Sequence, residues 1–261
     1  MRFARTAHRS TGNCASALRQ FFTCTAKVMD FLHSFPIKHM DIKPQNLFVR
    51  DISTSDADEQ HQCKLYFTEF GISKAYKSVD ECDTESPTSF TRTYAAHEVG
   101  IQESRGLSAD MFSLGCVYSE MLATILDGSI ASFEPQDKVI DVHWAALRAA
   151  RRTSESDMRP YHRATEDVRT WLYRLPIERE PEMMAVREWT AALLSNEAST
   201  RPTARQIAND PHLPFACRSC NLRRGPEDFE VAQPLTLTPR QESPHHWGNP
   251  MRELTEVPAP A

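Results

Sequence analysis

Three polar side chains at short, fixed spacing lie in the stretch His39-Met-Asp-Ile-Lys-Pro-Gln-Asn46. Asp41 supplies a carboxylate, Lys43 a cation two residues later, and Asn46 an amide three residues further on. A carboxylate can accept a hydroxyl proton, a lysine can lie beside a phosphate as a point charge, and an amide oxygen can bind a hard metal ion. The stretch therefore suits metal-assisted transfer of a phosphoryl group.

The flanking elements have to hold these side chains in place. Proline disfavours helical geometry in the residue before it, so a helix from about Ala15 to His33 is predicted to end before Pro36. Leu47 to Arg50 and Lys64 to Phe67 predict two short strands, joined by an acidic, Ser/Thr-rich connection. The helix is indicated by an apolar stripe at helical spacing: Leu18, Phe21, Phe22, Thr25, Val28, Met29 and Leu32.

The stretch from His39 to Asn46 resembles the catalytic loop of eukaryotic protein kinases, written H-R-D-x-K-x-x-N in the serine/threonine branch. Met40 stands where that pattern has arginine. Glu69-Phe-Gly71 stands where kinases have Asp-Phe-Gly, after the predicted hairpin. Residues 72–90, rich in Ser, Thr, Asp and Glu, then correspond to the activation segment.

Three later segments continue the resemblance. Thr91-Arg-Thr-Tyr-Ala-Ala-His-Glu98 resembles G-T-x-x-Y-x-A-P-E, with Phe90 for glycine and His97 for proline. The segment 108–122 is similar to the buried kinase helix D-x-x-S-x-G-x-x-x-x-E-M-L, and Arg201-Pro-Thr is similar to R-P-T/S.

The resemblance implies a role for each matching residue. Asp41 would accept the proton of a substrate hydroxyl, Lys43 would lie over the transferred phosphate of ATP, and Thr91 would tie the activation segment to Asp41. Asn46 and Glu69 would hold magnesium, Glu69 with one more methylene than the usual aspartate. By the same resemblance, His39 is a scaffold residue, Asp110 accepts hydrogen bonds from the catalytic-loop backbone, and Glu98 pairs with Arg201.

Met40 changes the expected regulation. In the family, the arginine at this position binds a phosphate on the activation segment and orders it through charge-assisted hydrogen bonds. Methionine cannot do so. The sequence therefore predicts that phosphorylation of residues 84–93 does not switch this protein on.

The resemblance covers the larger, helical lobe of a kinase. The expected fold is mainly α (α+β), a kinase-like C-terminal lobe with a small β-hairpin beside the catalytic loop and no N-terminal lobe. The expected organisation is a frayed or disordered 1–14, a truncated kinase domain at 15–212 with a helical insert at 127–180, and a proline-rich, disordered tail at 213–261. The insert is predicted to contain helices at His143–Arg152 and Ala164–Leu175, facing a substrate or partner.

Composition narrows the setting of the protein. A net charge of -5, with both signs spread along 261 residues, gives no basic footprint for nucleic acid, and no uninterrupted apolar stretch indicates a membrane span. The scattered, odd number of cysteines shows no disulfide framework and favours a reducing intracellular setting, cytoplasmic or nuclear. Cys217-Arg-Ser-Cys220 lacks a second spaced pair for zinc, so two ordinary thiols are expected.

The sequence leaves two functions open. The first is a serine/threonine kinase that uses ATP and magnesium on a protein substrate, truncated so that the isolated chain lacks half of the nucleotide cleft. Before His39 there is a single glycine, Gly12, and therefore no glycine-rich flap. The second is a pseudokinase or interaction scaffold for a regulatory protein, suggested by the altered Met40, Glu69 and His97. Phosphotransferases acting on small molecules generally lack the lysine that stands here as Lys43.

Overall fold

The computed structural model of the chain describes residues 11–51, 63–83, 90–103, 105–131, 141–154, 157–217 and 220. Within these ranges the helices are α1 (Thr11–Ser34), α2 (His97–Gly100), α3 (Ser108–Ala131), α4 (Val142–Arg151), α5 (Thr165–Leu172), α6 (Pro181–Leu193) and α7 (Ala204–Ala208). The strands are β1 (Ile37–Lys38), β2 (Leu47–Asp51), β3 (Cys63–Phe67) and β4 (Lys74–Ala75). The expected mainly helical α+β architecture is confirmed.

Helix α3 forms the centre of the fold. Most of its side chains are buried, and α1, α4 and α6 pack around it. A Cβ atom at Gly115 would lie 2.7 Å from Leu193 Cβ, so the close approach of α3 to α6 requires glycine. In the described part of the chain, α3 is the one helix long and apolar enough to cross a membrane, yet 83% of its apolar window is buried inside the fold. Such burial is typical of a core helix.

The four strands form two small antiparallel sheets. β1 pairs with β4, and β2 pairs with β3 from Leu47 opposite Phe67 to Asp51 opposite Cys63. The predicted hairpin is therefore confirmed, although its connecting residues 52–62 lie outside the described ranges. Residues 39–46 connect β1 of one sheet to β2 of the other.

The two predicted insert helices form as α4 and α5, but α4 is tied to the core. The Asp127 carboxylate on α3 accepts hydrogen bonds from the backbone N–H groups of His143 and Trp144, at 2.8 and 3.0 Å. The Trp144 indole donates to Thr124 Oγ1, 3.0 Å away. α5 in turn packs against α4. A substrate-facing or partner-facing role for this region stays a prediction.

The described structure continues on both sides of the predicted domain of residues 15–212. α1 begins at Thr11, inside the segment expected to be frayed, because polar residues can continue a helix without extending its apolar stripe. At the other end, Leu213 and Ala216 are buried, and the Thr23 hydroxyl donates a hydrogen bond of 2.5 Å to the Pro214 carbonyl. Residues just after the predicted boundary at 212 therefore contact α1, and the domain boundaries themselves stay predictions. Residues 1–10, 218–219 and 221–261 lie outside the described ranges.

Candidate active site

The local backbone brings three of the predicted site residues together. Pro44–Asn46 forms a single 3-10 turn between the two sheets, closed by a hydrogen bond from the Asn46 N–H to the Lys43 carbonyl. This turn folds the chain back on itself, so that the Asn46 amide donates to the Asp41 carbonyl at 2.8 Å and to Asp41 Oδ2 at 2.9 Å. The spacing of these residues in the sequence is therefore the spacing that one tight turn needs.

Asp41 lies at the centre of a hydrogen-bond network. Lys43 Nζ donates to Asp41 Oδ2 at 2.6 Å and to Thr91 Oγ1 at 2.9 Å. The Thr91 hydroxyl donates to Asp41 Oδ1 at 2.6 Å. Thr91 lies 50 residues further along the chain than Asp41, so this contact attaches the segment before α2 to the loop.

The network also determines the charge of Asp41. Burial disfavours the ionised carboxylate, but hydrogen bonds from Lys43, Thr91 and Asn46 outweigh burial and hold the pKa of Asp41 below its ordinary value. Asp41 is therefore ionised at neutral pH. An ionised carboxylate held at a fixed position can orient a hydroxyl group and accept its proton.

The His39 backbone is anchored to the core helix. Asp110, at the start of α3, accepts hydrogen bonds from the backbone N–H groups of His39 and Met40, at 2.7 and 2.8 Å. The expected contact between Asp110 and the loop backbone is thus confirmed. The His39 ring is fully buried beside Phe67 and Phe70, and its Nε2 lies 3.0 Å from the Thr68 carbonyl oxygen. His39 thereby connects the loop to the residues that follow β3.

Glu69 follows directly on this connection. Thr68 donates to the Asn46 carbonyl through both its N–H and its hydroxyl, at 2.9 and 3.0 Å. Glu69, the next residue, has a left-handed backbone with φ 62° and an exposed side chain. Its carboxylate makes no hydrogen bond or ion pair within the described residues, in contrast to that of Asp41.

Oxygen donors for a metal ion are available at both predicted ligands. The Asn46 side chain uses its NH2 group on Asp41, and no hydrogen bond among the described residues engages its Oδ1. The Glu69 carboxylate is exposed and ionisable. Carboxylate and amide oxygens are ligands that magnesium accepts. The two residues therefore fit a magnesium ion in their chemistry.

Met40 faces a small cavity beneath the loop. Its backbone is left-handed, with φ 69°. The cavity has a volume of about 30 Å³, and its lining includes Met40, Phe90, Thr91 and Tyr94. It has room for a water molecule. That Met40 removes control by phosphorylation stays a prediction.

A buried tyrosine–glutamate cluster was missed by the sequence analysis. The Tyr94 hydroxyl donates to Glu120 Oε1 at 2.9 Å, and the Tyr161 hydroxyl donates to the same oxygen at 3.3 Å. Burial is the largest effect and raises the pKa of Glu120 above its ordinary value. The hydrogen bond from Tyr94 and the charge of Arg151 act in the opposite direction. Tyr94 and Glu120 both stood in quoted motifs, but their separation of 26 residues gave no reason to pair them.

The ion pair expected between Glu98 and Arg201 is confirmed. Arg201 donates to both Glu98 carboxylate oxygens, at 2.6 and 2.8 Å, and both residues are only 6% exposed. The guanidinium group also donates to the carbonyls of Ser195, Asn196 and Ser108. The pair thereby joins α2 to the segment between α6 and α7.

Most of the chain matches a known protein family. A family model described as the protein kinase domain matches residues 3–213. The chain is 34% identical over 96 residues to a cyclin-dependent kinase 4 homolog of Caenorhabditis elegans, a match that covers 36% of this chain and 20% of that protein. It is 31% identical over 104 residues to cyclin-dependent kinase 4 of Ovis aries, covering 40% of this chain and 29% of the relative.

A protein kinase that is not named as cyclin-dependent matches at similar sequence identity. The chain is 33% identical over 110 residues to a calcium/calmodulin-dependent protein kinase of Metarhizium anisopliae, covering 42% of this chain and 25% of that protein. The chain thus spans about a fifth to three tenths of the length of these curated relatives.

Proposed function

Because the chain belongs to the protein kinase domain family, we propose that it carries the catalytic side of a site that transfers the γ-phosphoryl group of ATP to serine or threonine hydroxyls of a protein. The observation that carries this proposal is the network joining Asp41, Lys43, Asn46 and Thr91. Four residues of suitable chemistry meet there, although Thr91 is distant in the sequence.

Each side chain has one task in this proposal. Asp41 orients the substrate hydroxyl and accepts its proton, since its lowered pKa keeps it ionised. Lys43 places a positive charge beside the transferred group. Thr91 fixes the activation segment to Asp41, so that a substrate lying on that segment has its hydroxyl close to the carboxylate.

Asn46 and Glu69 are the proposed magnesium ligands. When bound, magnesium neutralises negative charge on the nucleotide phosphates. The unengaged Asn46 Oδ1 and the exposed Glu69 carboxylate support this role. The longer side chain of Glu69 is expected to weaken magnesium binding relative to aspartate, because one more rotatable bond must be ordered.

The proposal is restricted to the helical lobe. The residues before His39 contain a single glycine, so they offer no glycine-rich flap to cover the phosphates. We therefore propose that the isolated chain binds ATP only weakly and turns over little of it. A protein substrate or regulatory protein in an intracellular compartment is the proposed partner, with no role for nucleic acid or membrane.

A second candidate is an interaction scaffold without catalysis. It is favoured by one specific observation, the replacement of the metal-binding aspartate by Glu69, whose carboxylate has no partner within the described residues. In this alternative, the network around Asp41 stabilises the lobe, and the surface of the lobe binds another protein. The two candidates differ in whether ATP and magnesium bind.

A thermal unfolding assay of the full chain distinguishes them. Ligand that binds only the folded state raises its melting temperature. We expect a rise with ATP and magnesium that disappears with ATP and EDTA and is reduced in Glu69→Gln but not in the exposed control Glu103→Gln. No rise at any ATP concentration would overturn the nucleotide site and support the scaffold.

A transfer assay then tests the role of Asp41. With radiolabelled ATP and paired peptides that contain serine or tyrosine, any transfer should go to serine and fall by about 10²- to 10⁴-fold in Asp41→Asn. Nucleotide binding without transfer would support the restricted proposal for the isolated chain. Transfer that Asp41→Asn leaves unchanged would contradict it.

A further inference from the structure

Three cysteines from opposite ends of the chain meet on one side of α1. The Sγ atoms of Cys24, Cys217 and Cys220 all lie within 4.8 Å of one another. Cys24 and Cys217 are buried and Cys220 is partly buried. None of the described cysteines forms a disulfide. The cluster lies outside the network around Asp41 and has no part in the proposed phosphoryl transfer.

The backbone arranges the three thiols as a metal site would need. The Cys220 N–H donates to the Cys217 carbonyl at 2.9 Å, which holds the two cysteines close together. The Cys217 N–H donates to Cys24 Sγ at 3.2 Å. Thr23, next to Cys24, holds the same segment through the Pro214 carbonyl.

We propose that Cys24, Cys217 and Cys220 bind one zinc ion through their thiolates, with the fourth position of the tetrahedron left to water or another donor. Thiolates are soft ligands that select zinc among the common divalent ions. With zinc–sulfur bonds of about 2.3 Å, tetrahedral sulfur atoms lie about 3.8 Å apart, so the cluster needs only a small contraction. Binding forms three zinc–sulfur bonds and releases the three thiol protons to solvent.

Charge near the cluster supports metal binding. A zinc ion with three thiolates carries one net negative charge. Lys27 lies one helical turn after Cys24, and its Nζ is 3.4 Å from the Cys220 carbonyl oxygen. Its positive charge offsets that of the complex at short range. A disulfide would join only two of the three sulfur atoms and leave the third thiol unbonded beside it, whereas one zinc ion would bind all three.

The bound ion would attach the C-terminal segment to α1. Cys24 and Cys217 are 193 residues apart, so a shared metal closes a very long loop. Closing such a loop restricts the unfolded chain and favours the folded state. Zinc should therefore raise the melting temperature of the whole chain, independently of ATP or magnesium.

The primary test is metal stoichiometry. The full chain, reduced and incubated with zinc sulfate, should retain one zinc per chain after gel filtration, measured by mass spectrometry of the metal. Cys24→Ser, Cys217→Ser and Cys220→Ser should each lose it, whereas the control Cys63→Ser on β3 should keep it. Cys220→His should also keep it, since imidazole can replace the thiolate.

Cobalt provides a second readout. Replacement of zinc by cobalt should give the near-ultraviolet absorption band of cobalt–thiolate bonds, reduced in each serine variant of the cluster. Cys220 is partly exposed, so Cys220→Ser keeps the test decisive if Cys24→Ser fails to fold, as judged by circular dichroism. Loss of zinc in Cys63→Ser alone, retention of zinc in Cys220→Ser, or a disulfide between two of the three cysteines that persists after reduction would overturn the proposal.

Discussion

Asp41 shows how local contacts can outweigh the effect of burial on a carboxylate. Burial favours its neutral form, yet Lys43, Thr91 and Asn46 all donate to it and lower its pKa. Glu69 shows the opposite situation, since its exposed carboxylate has no partner in the described part of the chain. One acidic residue is therefore fixed in place, and the other is available to a ligand.

The lowered pKa of Asp41 makes part of the stability depend on pH. The folded pKa lies below the unfolded value, so this contribution is present above about pH 4 and is lost as the pH falls through the folded pKa. Asp41→Asn should lower the free energy of unfolding at pH 7 by about 1–3 kcal/mol. Urea unfolding at stepwise lower pH should show this difference shrinking. A difference that stays constant down to pH 2 would contradict the assignment.

The segment from Phe90 to Ala96 is held through both its side chains and its backbone. Thr91 bonds to the loop, the Tyr94 hydroxyl bonds to α3, and Ser113 on α3 donates to the Tyr94 carbonyl at 2.9 Å. A segment with little regular structure keeps its position only while such contacts persist. Its order should therefore depend on single hydroxyl groups.

Replacing Thr91 tests the attachment to the loop. Thr91→Val keeps the shape but removes the hydroxyl that bonds Asp41 and Lys43. Amide hydrogen exchange in residues 90–96 should become faster, because the segment opens more often. Thr91→Ser retains the hydroxyl and should exchange like the wild-type chain. Equal exchange in Thr91→Val and Thr91→Ser would show that the hydroxyl does not hold the segment.

Replacing Tyr94 tests the attachment to α3. Among the described residues, Tyr94→Phe leaves the buried Glu120 carboxylate with the longer hydrogen bond from Tyr161 alone, so the free energy of unfolding should fall by about 1–3 kcal/mol. Tyr173→Phe is the matched control, because its bond to Glu188 is exposed and its loss should cost no more than about 0.5 kcal/mol. Denaturant unfolding of both variants measures the difference. A similar loss of stability in both variants would mean that the side chains around Glu120 rearrange and replace the lost hydrogen bond.

The molecule as a whole is joined by contacts between distant parts of the chain. α3 carries them, with α1, α4 and α6 around it and Asp110 reaching the loop. Glu98 and Arg201, 103 residues apart, complete the connection between the segment before α3 and the segment after α6. Removing one partner of such a buried pair should affect the entire fold.

The Glu98–Arg201 pair gives the largest expected loss of stability. Glu98→Leu or Arg201→Met alone should lower the free energy of unfolding by about 3–5 kcal/mol, because a charge is left buried without its partner. The exposed pair of Arg205 with Asp30 provides the control, and Arg205→Ala should cost less than about 1 kcal/mol.

The double variant Glu98→Leu with Arg201→Met separates the cost of an unpaired charge from the cost of lost packing. It should be less destabilised than the sum of two single changes, since no charge is left alone. Denaturant unfolding of all three variants gives the coupling free energy. Simple additivity would mean that the two side chains stabilise the fold separately.

Features that depend on residues close together in the sequence could be predicted from the sequence. The apolar stripe indicated α1, two short apolar runs indicated the hairpin, and the spacing from Asp41 to Asn46 matched one tight turn. Such features follow from steric rules and side-chain periodicity, which act over a few residues. The contacts of Thr91, Asp110 and Arg201 were expected only because the motifs resemble those of kinases.

Contacts without a motif were decided by the folded chain alone. Cys24 meets Cys217 and Cys220 because the segment after α7 contacts α1, which no local pattern indicates. Because of the same contacts, buried residues continue beyond His212. The pairing of Tyr94 with Glu120 likewise depends on which face of α3 meets the segment. Side-chain packing selects these partners over long distances, and spacing along the chain carries no record of that choice.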